Sequence, residues 1–263
     1  MTRYLTCDYI ESLKHPEFWI YATWLDLVTK YRRSRLGIFW VFFPPVLYTF
    51  GVGAFFAHLQ DMPASGFFAH MGIGYVVFRL VTVSLSEATT TFISHANFIL
   101  DGRVRLTDYV LRVVAKALFY FLLAIPVIVV ALALHPDFRW IGLATLLPAL
   151  GLVLFNVAWM GVIVGVIGAR LQDVYELVGS ALMFSFLFTP ILWTASSAPP
   201  GTLRGGIARA NPLFHFVEIV RAPLLGEPIE PWTCMYLAVL TVVGWCLATV
   251  VYRMYARFVP LWV

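Results

Sequence analysis

The sequence predicts an all-α integral membrane protein of six transmembrane helices, with an N-terminal interfacial helix and re-entrant helices between spans five and six. Three observations carry this expectation. Of 263 residues, 61% are hydrophobic and only 12% charged, about half the charge of a soluble domain of this length. Four intervals, Gly37 to Gln60, Trp140 to Ala169, Leu177 to Leu203 and Pro231 to Tyr252, contain no Asp, Glu, Lys or Arg, and a helix needs roughly 20 apolar residues to cross the hydrocarbon core. Lys and Arg are also unevenly distributed among the segments between these intervals.

Two further intervals complete the six. Phe67 to about Thr90 is apolar apart from Arg79 and Glu87, and Ala117 to Leu134 is uncharged but short, extending back toward Arg112. The expected spans are about 37–60, 67–90, 112–134, 140–169, 175–195 and 231–252, within a transmembrane domain over 37–254. Residues 1–36 form the N-terminal segment and 255–263 the tail.

The first 35 residues are rich in charge and lack an apolar core like that of a signal peptide, so no cleavage is expected. After His15-Pro16-Glu17, Phe18, Ala22, Leu25 and Val28 follow helical spacing, with Trp19, Trp24 and Tyr31 nearby. This describes a helix lying in the membrane interface, as a passive anchor or as a gate. Span one holds Pro44-Pro45 at its centre, which removes two backbone donors and predicts a kink or local unwinding.

Between spans two and three, His95 to Asp108 mixes charges with Phe98, Ile99 and Leu106, which reads as a solvated loop or as a docking segment for a peripheral partner. The stretch 196–230 is broken by Pro199-Pro200-Gly201, Gly205-Gly206, Asn211-Pro212 and Pro223, yet carries the apolar run Leu213 to Val220. Too apolar for a free loop and too broken for a span, it predicts short helices dipping back into the outer leaflet.

Of the 18 basic residues, thirteen fall on the side of the termini, four on the other side and Arg79 within a span, so both termini are expected in the cytoplasm. The net charge of +4 is then a topology signal with attraction to anionic membrane lipid, and no nucleic-acid partner is expected. Cys7, Cys234 and Cys246 are scattered, which suggests neither a disulfide framework nor a zinc site.

A phosphate-cradling Walker A loop needs a Lys between Gly and Ser or Thr. The three lysines, Lys14, Lys30 and Lys116, precede His15, Tyr31 and Ala117, so this sequence holds no such loop, and any ATPase is a separate subunit. There is no His-x-x-x-His pair and no Gly-x-Ser-x-Gly elbow, and Asp101, Asp108, Asp173 and Glu176 sit at span ends where charge is expected. No catalytic or metal-binding residue is therefore assigned, although acids in such places also suit a membrane-embedded transferase. An ion-coupled carrier needs several ionisable groups at depth, and only Arg79, with Glu87 nearer the cytoplasmic end, qualifies. Arg79 could pair with Glu87 or a lipid phosphate, or touch substrate. Aromatic side chains are abundant in spans one and five, where they suit sugar stacking or contact with lipid.

The stretch Tyr31-Arg32-Arg33-Ser34-Arg35-Leu36-Gly37-Ile38-Phe39-Trp40 followed by Pro44-Pro45 resembles the approach to span one in type-2 ABC exporter permeases for polysaccharides, the family that moves O-antigen, capsule or teichoic acid chains. Two further blocks agree in order: Arg170 to Val174 leading to Phe188-Thr189-Pro190-Ile191-Leu192-Trp193, and Asn211-Pro212-Leu213 leading to Val220-Arg221. The resemblance implies a homodimer in the bacterial inner membrane with two nucleotide-binding ATPase subunits beneath, which hold ATP and Mg2+; this chain binds no cofactor. It implies a gate helix with Trp19, Trp24, Tyr31, Arg32 and Arg33. The ATPase contact falls on Asn97, Phe98, Ile99, Asp101, Gly102, Arg103, Arg105 and Leu106. The pathway for a lipid-linked polysaccharide is lined by Trp40, Phe43 and Tyr48 of span one and by Phe184, Phe188 and Trp193 of span five, with Arg79 beside them. Within the family, the ending Phe258 to Val263 and the run Leu111-Arg112 to Lys116 look like O-antigen permeases. A related exporter for lipids or drugs and a membrane-embedded glycan- or lipid-modifying enzyme are the rival readings.

Overall fold

The computed structural model describes residues 4–32, 34–101, 104–135 and 142–263. Arg33, Gly102, Arg103 and the expected start of span four at Trp140 lie outside them. Helices α1 (Leu5–Lys14) and α2 (Glu17–Arg32) come first. Gly37 then takes a left-handed φ of +52°, a turn that favours glycine and gives the Leu36-Gly37 pair a physical reason.

Span one is a composite. A 3-10 turn over Gly37–Val41 leads to α3 (Phe43–Val46), a π-helical turn over Leu47–Val52 and α4 (Gly53–Leu59). Pro44 and Pro45 stand in the first turn of α3, where their missing donors are not needed. The widened turn seats Thr49 on Gly72; a Cβ there would lie 2.8 Å from the threonine hydroxyl, so only glycine admits this approach.

Next come α5 (Ala64–Ser94), the short α6 (Ala96–Leu100), α7 (Leu106–Ala133), α8 (Gly142–Arg170) and α9 (Val174–Phe188). After α10 (Leu203–Ala210) and α11 (Pro212–Leu225), the chain ends in α12 (Pro231–Tyr255) and α13 (Val259–Trp262). Among the described residues, five segments are long and apolar enough to cross a membrane: Gly37–Leu59, Ala64–Ser94, Leu106–Ala133, Gly142–Arg170 and Pro231–Trp262.

Expected span five differs from these. As a helix it ends at Phe188 after 15 residues, or about 22 Å, because a proline disfavours helical geometry in the residue before it and Thr189 is extended. Helix α7, in contrast, starts at Leu106 rather than near 112. Arg112 and Lys116 do not end it because both are paired, with Asp26 at 2.6 Å and with Glu87 at 2.9 Å.

Helix α1 and the end of α12 meet at one end of the bundle, the terminal end, where Tyr252 Oη donates to Asp8 at 2.6 Å and Arg253 stacks on Tyr4. At the other end, Gln60 donates to the Leu192 carbonyl at 3.1 Å. Helix α5 is central, packing on α7, α8, α9 and α11. Its core joins Met71, Val77 and Leu80 to Phe121, Val153, Phe216 and Val217, and a second core at the terminal end joins Leu5, Tyr9, Phe92, Tyr109 and Tyr252. Asn156 of α8 ties α12 on, exchanging hydrogen bonds with Thr241 at 2.9 and 3.1 Å and accepting from Trp159 at 2.9 Å.

Helices α1 and α2 climb along α7. Ser12 meets Thr107 at 2.7 Å, Thr23 donates to the Arg112 carbonyl at 3.2 Å, and Lys30 donates to Tyr120 Oη at 3.2 Å. The face α2 buries carries Thr23 and Leu27, while Leu25 and Val28, which the spacing marked as the apolar face, are exposed. The polar residues are used by α7, so Ile20, Tyr21, Trp24, Leu25 and Val28 are left to cover the outer side, the face that an interfacial helix gives to lipid.

Candidate functional site

The π turn in span one projects Tyr48 onto Tyr75 of α5, where the rings stack with centroids 4.0 Å apart. Phe186 of α9 meets Tyr48 edge-on at 6.3 Å and Phe78 at 5.1 Å. With Arg79, Thr82 and Ser86 on α5 and Leu182, Met183 and Leu187 on α9, these rings border an open groove of about 370 Å³. Such a groove combines aromatic rings from three helical segments with one cation, a combination suited to sugar rings and to an anionic group.

Of the residues expected along the pathway, Tyr48 and Arg79 line this groove. Trp40, Phe43, Phe184 and Phe188 are exposed outside it, Trp40 meeting Phe43 edge-on at 5.8 Å. Trp193 is half-buried, its Nε1 donating to the Leu187 carbonyl at 3.1 Å. Tyr75, Phe78 and Phe186 were not singled out from the sequence. One signal for the α5 wall is present in it: Tyr75, Arg79, Thr82 and Ser86 recur at helical spacing within an otherwise apolar span.

Arg79 does not pair with Glu87. Eight residues separate them, about 12 Å along the helix, and Glu87 is held by Lys116 at 2.9 Å. The Arg79 guanidinium instead lies 5.8 Å from the Tyr120 ring centroid, and its buried Nη1 has no hydrogen-bond partner.

Toward the terminal end, a polar cleft of about 550 Å³ opens between α2, the last turns of α5 and the first turns of α7. Asp26, Lys30, Glu87, His95, Arg112 and Lys116 line it. Asp26 clasps Arg112 through Nε at 2.9 Å and Nη2 at 2.6 Å. Among the expected gate residues, Trp19 donates to the Ser12 carbonyl at 2.9 Å, Trp24 and Arg32 are exposed, and Tyr31 Oη lies 3.5 Å from Tyr120 Oη. Burial pushes the Tyr31 phenol up to about 12, so it stays protonated. Arg33 lies outside the described residues.

The segment expected to meet an ATPase divides by burial. Asn97, Phe98 and Asp101 are exposed, whereas Ile99 and Leu106 are buried with Leu5 and Tyr109 and anchor the segment from beneath. A five-residue helix has one face to bury and one to show; Ile99 is on the hidden face of α6, and Leu106 is the first residue of α7. The Arg105 backbone N–H donates to Asp108 at 3.0 Å, and its guanidinium reaches Glu11 at 3.6 Å. Gly102 and Arg103 lie outside the described residues. His95, at the end of α5, is partly buried with Nδ1 2.7 Å from the Thr91 carbonyl; burial pulls its pKa below the usual histidine value.

At the opposite end, Asn211 caps α11 by accepting from Leu213 N–H at 3.1 Å and donates to Thr189 Oγ1 at 2.9 Å. Arg221 donates to the Pro190 carbonyl, and Arg209 forms a bidentate pair with Glu230. Among the described residues no group of three or more His, Cys, Asp or Glu could hold a metal ion, and the three cysteines are exposed and free.

The family model described as ABC-2 type transporter matches residues 17–225, from the start of α2 to the end of α11. No curated protein matches the chain.

Proposed function

The chain belongs to the ABC-2 type transporter family, membrane transporters that work with a nucleotide-binding ATPase partner, and from that premise we propose that it is the permease subunit of an exporter for a lipid-linked polysaccharide, O-antigen first among the classes. The observation that carries this reading is the groove in which Tyr48, Tyr75, Phe78 and Phe186 converge beside Arg79. Ring faces hold a sugar loosely and are indifferent to which residue of a polymer they meet, so a chain can pass without a deep well at any step. ATP and Mg2+ act on the partner, and this chain supplies the path.

In this reading six segments cross the bacterial inner membrane, α9 completing its crossing through Thr189 to Trp193, while α10 and α11 dip back from the outer face. Both termini face the cytoplasm, where thirteen of the 18 basic residues then lie. Two copies form a homodimer, with the exposed rings of Trp40, Phe43, Phe184 and Phe188 toward the space between them. The ATPase docks on Asn97, Phe98 and Asp101, and α2 acts as the gate.

Affinity purification of the tagged permease from its native membrane tests the partnership. An ATPase with a Walker A loop should copurify, and Phe98→Glu should release it. A permease that comes alone, or that modifies a glycan or lipid by itself, overturns the reading.

A further inference from the structure

Lys30 and Arg79 approach Tyr120 together: the Lys30 ammonium lies 5.3 Å from the ring centroid and the Arg79 guanidinium carbon 5.8 Å from it. Each nearby carboxylate is engaged elsewhere, Asp26 by Arg112 and Glu87 by Lys116. Among the described residues neither Lys30 nor Arg79 has a carboxylate partner. Two cations beside one ring repel each other, and although Lys30 is exposed, Arg79 is partly buried within an apolar span and is costly to leave without an anion. Arg79 Nη1 is buried with no acceptor, and a buried guanidinium N–H left unpaired is itself costly.

The surroundings supply what an anion of two or more oxygens needs. Lys30 donates to Tyr120 Oη at 3.2 Å, and Tyr31 Oη stands 3.5 Å from the same hydroxyl, so two phenols and two cations meet at one place. Lys30 lines the polar cleft, and Arg79 lines the aromatic groove. The cation pair therefore stands between a water-accessible space and a ring-lined one.

We propose that Lys30 and Arg79 form a binding site for the phosphate group of a membrane-anchored lipid, either the carrier of the cargo or a phospholipid of the bilayer. A phosphoryl group accepts from Arg79 through its fork and from Lys30 as a point charge, and its attached chain is left to lipid. This deepens the export reading, because a carrier phosphate held here places the first sugars at the groove.

The test uses the full-length permease alone in an uncharged detergent, titrated with farnesyl pyrophosphate, dioleoylphosphatidylglycerol or inorganic pyrophosphate, with farnesol as the uncharged control. Binding is read from tryptophan fluorescence and from the unfolding midpoint. Farnesyl pyrophosphate should bind and farnesol should not. Arg79→Gln and Lys30→Gln should each weaken binding by about tenfold or more, with Arg79→Lys and Lys30→Arg retaining part of it. A stronger response to farnesyl pyrophosphate than to phosphatidylglycerol assigns the site to the carrier, and equal responses lost in the same variants assign it to bilayer lipid. Binding by none of the lipid phosphates, binding of free pyrophosphate as tight as that of the lipids, or binding unchanged in both Gln variants overturns the proposal. Those results leave glycan export untouched as a reading. Intact binding in a protein whose deletion leaves glycan display normal removes the export reading alone.

Discussion

Arg221 Nη1 donates to the Pro190 carbonyl at 2.5 Å, with Arg221 only 3% exposed. The two residues come from blocks that are 31 positions apart in sequence, and the bond joins the end of α9 to the middle of α11. The neighbouring bond from Asn211 to Thr189 at 2.9 Å closes the same seam. Together they hold the end of the bundle away from the termini, with His70 Nε2 3.1 Å from the Trp193 carbonyl beside them.

Replacing Arg221 with Met keeps the apolar stem but leaves the Pro190 carbonyl buried without its donor. An unsatisfied buried group costs about 1–3 kcal/mol. The thermal unfolding midpoint of Arg221→Met in detergent should therefore fall, and Arg221→Lys should recover part of the loss.

The clasp of Arg112 on Asp26 fixes α2 to α7 with both side chains largely shielded, 14% and 32% exposed. Asp26→Asn removes the charge of one partner and strands the other. Hydrogen exchange should then accelerate over residues 17–32 while the cores of α5 and α8 stay protected; unchanged exchange there would show that the clasp is not what fixes α2.

His95 sets a pH dependence at the terminal end. Its pKa is lowered by burial first and by the charge of Arg112, with the Thr91 carbonyl and Asp26 pulling the other way. The folded state thus binds this proton less readily than the unfolded chain. The stability it contributes is fully present above the unfolded value near 6.5 and is lost as pH falls below it toward the depressed folded value. Unfolding midpoints measured at pH 7.5 and 5.5 should differ less in His95→Gln than in the unaltered protein.

Asn156 tests the polar seam between α8 and α12. Asn156→Leu removes its two bonds to Thr241 of α12 and the bond it accepts from Trp159 within α8, and interhelical bonds in membranes are worth about 0.6–2 kcal/mol. Equilibrium unfolding in mixed micelles should show a loss in that range.

Much of the helical arrangement was legible because charge-free length is a direct statement about the hydrocarbon core. The break at Pro44-Pro45 followed from missing donors and appears as a 3-10 turn, one helical turn and a π turn. Legibility ended where charges are paired: Arg112 and Lys116 look like a helix boundary until Asp26 and Glu87 are known to meet them. Aromatic abundance named spans one and five but not which rings converge. That choice depends on the π turn at Tyr48 and on the approach of α9 to α5, which places Phe186 inward while Phe184 and Phe188 stay exposed. The segment after α5 was legible as a mixed surface, but spacing alone could not reveal that Ile99 and Leu106 are its anchors.

The most direct test of glycan export through the aromatic groove is the amount of lipid-linked glycan displayed on the cell surface when the gene is deleted and then restored with variants. Deletion should trap the glycan on the inner side. The unaltered gene should restore display, while Tyr48→Ala and Phe186→Ala, expressed to the same level and still bound to the ATPase, should restore it poorly. Normal display in the deletion strain, with the glycan carried out as before, would contradict the export reading outright.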